Sequence, residues 1–427
     1  MKYDSKFLFQ TDLYYQNKIE IPFQWKKELK KGISFLNKIT LYNKETFLNK
    51  FKKAFSERFN EEEVSLLYAL DTEIGIGYRQ DLMAKGIHSY LDDFKFSPLN
   101  KPLEFQIKIN SVQYLLNRKL QNAQLENTTV IKLIEEDLNG YVENWENLPD
   151  TISFMSEIVL ENEKEKLIIQ GGKRSSAANL LARFCSEKSE IQKIAKKITE
   201  KELELNSDYI LAEILHLPEA RIGNIIRRPT LRSYEIPYLA QSVLPNENQI
   251  QADDLYISLK NDRIILRSRK LNKEIKPYLT NAHNYASNSL PVYHFLCDLY
   301  SQNIRSGLQF DWGDLKHLYI FFPRIEYENI IFSKAQWKID SNEIPQVNDR
   351  EKFLIQFKNW RKKRRIPQWI QWTRNDHALT LNLKNYDMID MFIQITKKEK
   401  SIIVEEFLHN ENDDFKREFI FLLYKVK

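Results

Sequence analysis

Four arginines fall within twelve residues, at 221, 227, 228 and 232, on a stretch that cannot be an ordinary helix face. Pro218, Gly223, Pro229 and Pro237 interrupt it. An apolar run, 210–216, leads into it. Arginines held on irregular backbone are costly unless carboxylates or phosphates receive them, because the guanidinium is always charged and its donors point in a fixed fork. The chain must therefore fold so that anions meet this stretch, from its own side chains or from a ligand.

The surrounding pattern alternates helices with strands. Residues 6–15 are aromatic-rich and β-prone. Trp25, Leu29, Ile33, Leu36 and Ile39 recur at helical spacing, as do Phe47, Phe51, Phe55 and Phe59, and a further helix is expected over 61–70. Leu70–Tyr78 is a loop carrying Gly75 and Gly77; without a strand–loop–helix context its glycine-x-glycine is weak evidence for phosphate binding. Residues 84–104 read as a linker, and 110–121 and 126–138 as helices. Two strands, Thr151–Leu160 and Lys166–Gln170, end at Gly171-Gly172. A helix is expected from Lys173 to Phe184. Its start, with Lys173 and Arg174, reads either as an oxyanion seat on free backbone N–H groups or as a plain turn capped by Ser175 or Ser176.

Beyond a charged helix at 187–204 comes a hairpin, Leu255–Lys260 and Arg263–Ser268, around the turn pair Asn261-Asp262. The loop 276–285 gathers polar side chains before an apolar helix at 291–302. His283, between Asn281 and Asn284, is a site candidate, although a lone histidine is more often structural. Strand-like runs at 318–323 and 329–333 precede a helix at 350–363 and strands at 369–373, 379–383 and 402–406. The whole reads as α+β, with mixed or antiparallel sheets packed by helices, divided into 1–150, 151–345 and 346–427.

The net charge of +5 is modest, but it is unevenly spread. Residues 353–374 hold seven Lys/Arg and no acid, and residues 258–276 hold seven against Asp262 and Glu274. Such clusters fit a polyanionic partner or simply a solvated face. Trp360, Trp369 and Trp372 interleave with the first, either to stack on RNA bases or as core. No zinc spacing, Walker loop or nucleophile elbow occurs. Cys185 and Cys297 sit in apolar settings and read as buried small hydrophobes. There is no run long and apolar enough for a membrane span and no signal peptide, so a cytoplasmic location is expected.

Several segments, in order, resemble the glutamylation domain of LanB-type lantibiotic dehydratases. They are Gln10-Thr-Asp-Leu-Tyr14, Leu70-Asp-Thr-Glu-Ile-Gly-Ile-Gly-Tyr78, Ser175–Phe184 and Leu211-Ala-Glu-Ile-Leu-His-Leu-Pro-Glu-Ala-Arg-Ile-Gly-Asn-Ile-Ile-Arg-Arg-Pro229. Then follow Tyr234-Glu-Ile-Pro237, Leu266-Arg-Ser-Arg269, Pro277-Tyr-Leu-Thr-Asn-Ala-His-Asn-Tyr285, Leu290-Pro-Val-Tyr-His-Phe-Leu-Cys-Asp298 and Phe322-Pro-Arg-Ile325. The resemblance implies transfer of glutamate from glutamyl-tRNA to Ser or Thr of a ribosomally made precursor peptide, on the way to dehydroamino acids. It implies no cofactor or metal, with glutamyl-tRNA as co-substrate.

On that resemblance Arg227, Arg228, Asn224, His283 and Asp12 are the catalytic candidates. Arg221, Arg232, Lys173, Arg174, Arg267, Arg269, Asn281 and Asn284 are the candidates for holding tRNA or glutamate. The resemblance places this chain in the second half of that domain. An upstream polypeptide completing the domain and a separate elimination domain are the expected partners. The competing expectation is a non-catalytic RNA or peptide binder, or an inactive remnant.

Overall fold

The computed structural model describes residues 20–41, 46–79, 106–172, 176–186, 189–216, 223–285, 290–305, 307–347, 349–374, 377–408 and 418–426. Three sheets organise them, each with its own apolar core and helices.

The first sheet runs β1 (Val64–Ser65), β7 (Leu255–Lys260), β8 (Arg263–Ser268), β9 (Lys273–Tyr278), β5 (Ile210–His216) and β6 (Tyr234–Tyr238). The β7–β8 hairpin forms as expected. Its turn residues Asn261 and Asp262 both have positive φ, 49° and 55°, the geometry that matches strand twist in a two-residue loop. Alternate residues Ile257, Ile264 and Leu266 face the core. The other half of the sheet is parallel: β5 pairs with both β9 and β6. Helices α2 (Phe47–Phe59), α3 (Leu66–Leu70) and α7 (Pro291–Tyr300) cover this sheet, with Phe51, Phe295 and Tyr78 meeting edge-on. Thr46 caps α2 by accepting from the Asn49 N–H.

Another sheet runs β17 (Phe419–Tyr424), β3 (Thr151–Glu161), β4 (Lys164–Gln170), β12 (Ile330–Ser333), β11 (Arg324–Tyr327) and β2 (Val130–Leu133). Helices α1 (Gln24–Ile39) and α4 (Ser111–Leu125) share its core. The division at 150 and 345 does not follow this sheet, because β2, β3 and β17 come from all three segments. Hydrogen-bonded neighbours far apart in sequence cross any such boundary.

The remaining sheet is a β-α-β-β-α-β module with a short extra edge strand, β10 (Phe321–Phe322). Its strands are β13 (Gln336–Asp340), β16 (Ser401–Glu406), β14 (Trp369–Arg374) and β15 (His377–Asn382), in that spatial order. Helices α8 (Arg350–Lys363) and α9 (Tyr386–Glu399) pack on it through Phe353, Phe357, Ile389 and Phe392. Trp360 packs at a tilt beside Phe357 and Phe392, at 5.4 and 6.3 Å between ring centres, and Trp372 packs on the same core. Those two tryptophans are core residues.

Some expected helices are absent. Residues 126–138 form β2 and a 3-10 turn (Glu135–Leu138), because the β-branched run Thr128–Ile131 fits a pleated surface better than a helix. From the helix expected at 61–70 only α3 survives, preceded by β1. The stretch expected as a helix to Phe184 has turns from 176 and a 3-10 turn, Ala182–Phe184. The buried Ser176 hydroxyl accepts from the Ala178 N–H two residues on, a local bond that competes with helix. A long helix, α5 (Glu190–Leu205), and the one-turn α6 (Gly223–Ile226) are the remaining α-helices among the described residues. Cys297 is buried and Cys185 half-buried, both free thiols whose pKa burial pushes up, which keeps them un-ionised.

The candidate active site

The site lies at the carboxyl ends of the parallel strands β5 and β6. Its foundation is Glu213, a carboxylate in the middle of β5 and 1% exposed. Inside an apolar strand such a charge must be fully paired. Thr280 donates to it twice, from its N–H and its hydroxyl, both at 2.6 Å. Arg232 Nε donates at 3.1 Å, and Arg228 Nη2 lies 3.0 Å away. Arg232 also donates to Glu202 on α5, and its guanidinium sits 3.9 Å from the Tyr278 ring centre. The result is a buried chain of alternating charge, Glu202–Arg232–Glu213–Arg228. Burial works against the Arg232 charge, but Glu202 and Glu213 outweigh it and hold the group firmly protonated.

Above this chain is a cavity of about 150 Å³ lined by His216, Ile226, Arg228, Asn281, His283 and Tyr293, among others. One side of it is aromatic. His216 stacks on Tyr293 with ring centres 4.2 Å apart, and Tyr238 stacks behind His216 at 6.0 Å. His283 Nδ1 and the Tyr293 hydroxyl share a hydrogen bond of 2.9 Å. The loop carrying His283 is shaped locally, since the buried Asn281 side chain accepts from the His283 N–H at 3.0 Å. Burial raises the Tyr293 phenol far above its ordinary range, so it remains a neutral donor and acceptor.

The sequence candidates separate clearly. Arg228, Asn281 and His283 converge on the cavity. Arg227 follows α6, is exposed, and donates its N–H to the Gly223 carbonyl. Asn284 is exposed on the same loop. Arg232, expected to hold a ligand, is instead spent on two internal carboxylates. Arg267 and Arg269 are also not at the cavity. Hairpin reversal carries them toward the amino ends of β5 and β9, roughly 20 Å away along the strand direction at ~3.3 Å per residue. There Arg267 forks onto Glu63 at 2.7 and 2.5 Å, and Arg269 lies over the Tyr256 ring. Asp12, Lys173, Arg174 and Arg221 lie outside the described residues, as does the side chain of Asn224, whose backbone is in α6.

Sequence reasoning missed Glu213, Glu202, His216 and Tyr293. For Glu213 a signal existed, a lone carboxylate in the apolar run Ile210–His216. Tyr293 carried none, because an aromatic in an apolar helix reads as core. Among the described residues no group of His, Cys, Asp and Glu is arranged to hold a metal ion. The arrangement offers a fixed cation, hydrogen-bonding rings and an amide around a small cavity. That is equipment for seating a carboxylate or a developing oxyanion and for moving one proton.

The sequence matches the family model described as Lantibiotic dehydratase, N terminus, over residues 2–392. The subtilin biosynthesis protein SpaB of Bacillus subtilis is 24% identical over 361 residues, covering 82% of this chain and 34% of SpaB. The nisin biosynthesis protein NisB of Lactococcus lactis subsp. lactis is 24% identical over 424 residues, covering 94% and 40%. The chain thus spans about a third to two fifths of the length of these curated relatives. The tRNA dependent lantibiotic dehydratase MibB from Microbispora sp. 107891 has a similar fold, with a TM-score of 0.72 at 17% identity over 90% of this chain and 37% of MibB. The glutamylation domain of TbtB, from thiomuracin biosynthesis, gives a TM-score of 0.53 at 15% identity over 93% of this chain and 49% of that one.

Proposed function

The chain belongs to the lantibiotic dehydratase family, in the region its N-terminal model covers, and from that premise we propose that it carries part of a tRNA-dependent glutamyl-transfer site. The substrates would be glutamyl-tRNA and a Ser/Thr-containing ribosomal precursor peptide. The rest of the catalytic unit, including the elimination step, would come from further polypeptide, in keeping with the share of its relatives' length that this chain spans.

The chemistry is acyl exchange. The acceptor hydroxyl oxygen attacks the ester carbonyl carbon, the bond to the ribose oxygen breaks, and the hydroxyl proton ends on that ribose oxygen. No ATP or metal is required by this balance, because the aminoacyl ester is already activated. We assign His283 as the proton carrier, its ring held by Tyr293. Arg228, locked against Glu213, is assigned to the glutamyl carboxylate or the oxyanion. Arg227, exposed beside the cavity-lining Ile226, is assigned to an incoming phosphate or carboxylate.

The observation that carries the reading is the convergence of Arg228, Asn281 and His283 on one small cavity above a fully paired carboxylate. The test is a mass-spectrometric assay with the chain, glutamyl-tRNA and a precursor peptide, with and without a candidate partner polypeptide. Glutamyl mass gain that disappears with Arg228→Ala supports transfer. Absence of gain under all mixtures, with RNA still bound, would sink transfer and leave a non-catalytic RNA binder.

A further inference from the structure

The acid-free basic run at 353–374 is not part of the cavity, and its seven members divide by what their heads touch. Arg361 donates to the Leu383 carbonyl at 2.7 Å. Arg364 donates to the Lys338 carbonyl at 2.6 Å and lies 3.3 Å from Glu343. Arg365 donates to the Thr128 carbonyl and lies over the Phe321 ring. Arg374 pairs with Glu399 at 3.0 Å. Arg361, Arg364 and Arg374 hold the β-α-β-β-α-β module together, and Arg365 ties it to the chain just before β2. The other three, Lys358, Lys362 and Lys363, are exposed along α8, and Lys352 is exposed nearer its start.

Lys358 and Lys362 are one helical turn apart and share a face. The row from Lys352 to Lys363 extends along about 16 Å of helix at 1.5 Å per residue. The helix dipole gives a structural reason for Lys362 and Lys363, which lie in the last turn. It gives none for Lys352 or Lys358. Asp349 caps α8, Glu343 faces Arg364, and Glu406 binds Arg324, so Glu351 in the first turn is the one acid on α8 itself, against four exposed lysines. The neighbouring Trp360 is turned into the core, so α8 presents charge and not a stacking platform. Its one exposed large apolar residue is Ile355, too little for the buried anchor cluster that a protein partner needs.

We propose that the exposed face of α8 is a docking surface for the phosphate backbone of folded RNA, namely the body of the tRNA whose acylated end reaches the cavity. In naming tRNA it rests on the function proposed above; the RNA contact itself does not. Recognition is electrostatic and independent of sequence, the lysines acting as point charges on phosphates.

The experiment is equilibrium binding of unacylated glutamate tRNA to the full chain across a salt series, for wild type and Lys358→Gln/Lys362→Gln/Lys363→Gln. The triple variant is expected to bind about tenfold more weakly at 0.1 M salt, with the log–log salt slope smaller by about two, since each lost phosphate contact removes roughly 0.7–0.9. Its thermal midpoint should stay within a few degrees of wild type, which excludes unfolding as the cause. Equal affinity and slope in both proteins overturns the proposal, as does absence of RNA binding by wild type. Lysine-dependent binding of polyglutamate in preference to RNA also overturns it, in favour of an acidic protein partner. Lysine-dependent RNA binding without any glutamyl transfer leaves this surface standing and removes the transferase reading alone.

Discussion

Arg228 and Arg232 approach the same carboxylate, Glu213, at 3.0 and 3.1 Å, yet only Arg228 also lines the cavity. This division predicts opposite phenotypes for neighbouring arginines. Arg232→Ala leaves Glu202 and Glu213 buried without their shared cation, and should cost about 3–5 kcal/mol in urea unfolding. Arg227→Ala, at an exposed position, should change stability by no more than about 0.5 kcal/mol. Arg228→Ala should lower glutamyl transfer by roughly a hundredfold or more, the cost of losing one preorganised charge at a reacting centre. Glu213 keeps Arg232 and Thr280 in that variant, so its stability loss should be well below that of Arg232→Ala. Equal stability losses for all three would contradict the division.

The Tyr293 hydroxyl is assigned to hold His283, while its ring fills the wall beside His216. Tyr293→Phe keeps the ring and removes only the hydroxyl. A stability loss of about 1 kcal/mol is expected, the net worth of one hydrogen bond. Transfer should fall in kcat with little change in KM for the peptide, because the histidine loses its orientation and the cavity keeps its shape. A purely structural tyrosine would give the stability loss with kcat unchanged.

How much of this was legible depends on the kind of signal. The β7–β8 hairpin was readable because Asn261-Asp262 is local turn chemistry, and α1 because Trp25, Leu29, Ile33 and Leu36 mark one face. The Thr128–Leu133 stretch was misread because helix and strand compete over so few residues, and pairing with β11, almost two hundred residues later, decides the contest. The arginine-rich stretch announced that anions must meet it, and they do. Sequence alone left open whether each anion is internal or a ligand: Arg232 met Glu202 and Glu213, which come from α5 and β5. Equally, Arg267 joined the candidate set by motif, and only the register of β8 against β9 shows that it points to the wrong end of the sheet for the cavity.

Acid should loosen the junction between the module and the rest of the fold. Arg324 is 5% exposed and holds Glu406 on β16 with two bonds, at 2.7 and 2.6 Å, while also donating to Glu161 and Glu326. Burial would raise the Glu161 carboxyl, but hydrogen bonds from Lys166 and Arg324 outweigh it and hold the group below its ordinary value. A depressed carboxylate contributes stability that is present above the unfolded pKa of about 4.3 and lost as pH falls through the folded value. Thermal midpoints measured from pH 6 to pH 3 should therefore drop more steeply for wild type than for Glu161→Gln below about pH 4.3. Parallel curves would remove Glu161 from the account of acid lability.

Gly32 sits in the middle of α1, where helix propensity alone favours alanine by about 1 kcal/mol. A Cβ there would lie 2.6 Å from Ile330 Cδ1 and 2.9 Å from Ile169 Cδ1, both in the sheet beneath. Both contacts are closer than carbon atoms tolerate, and both isoleucines are nearly fully buried, so neither can swing aside freely. Overpacking of this kind costs about 1–3 kcal/mol, enough to cancel or exceed the propensity gain. Gly32→Ala is expected to be destabilising in urea unfolding despite its better helix former. Adding Ile330→Val, which removes the closer methyl, should recover part of the loss, so the two changes together cost less than their sum. Strict additivity would mean that the helix does not approach β12 as closely as the structure places it.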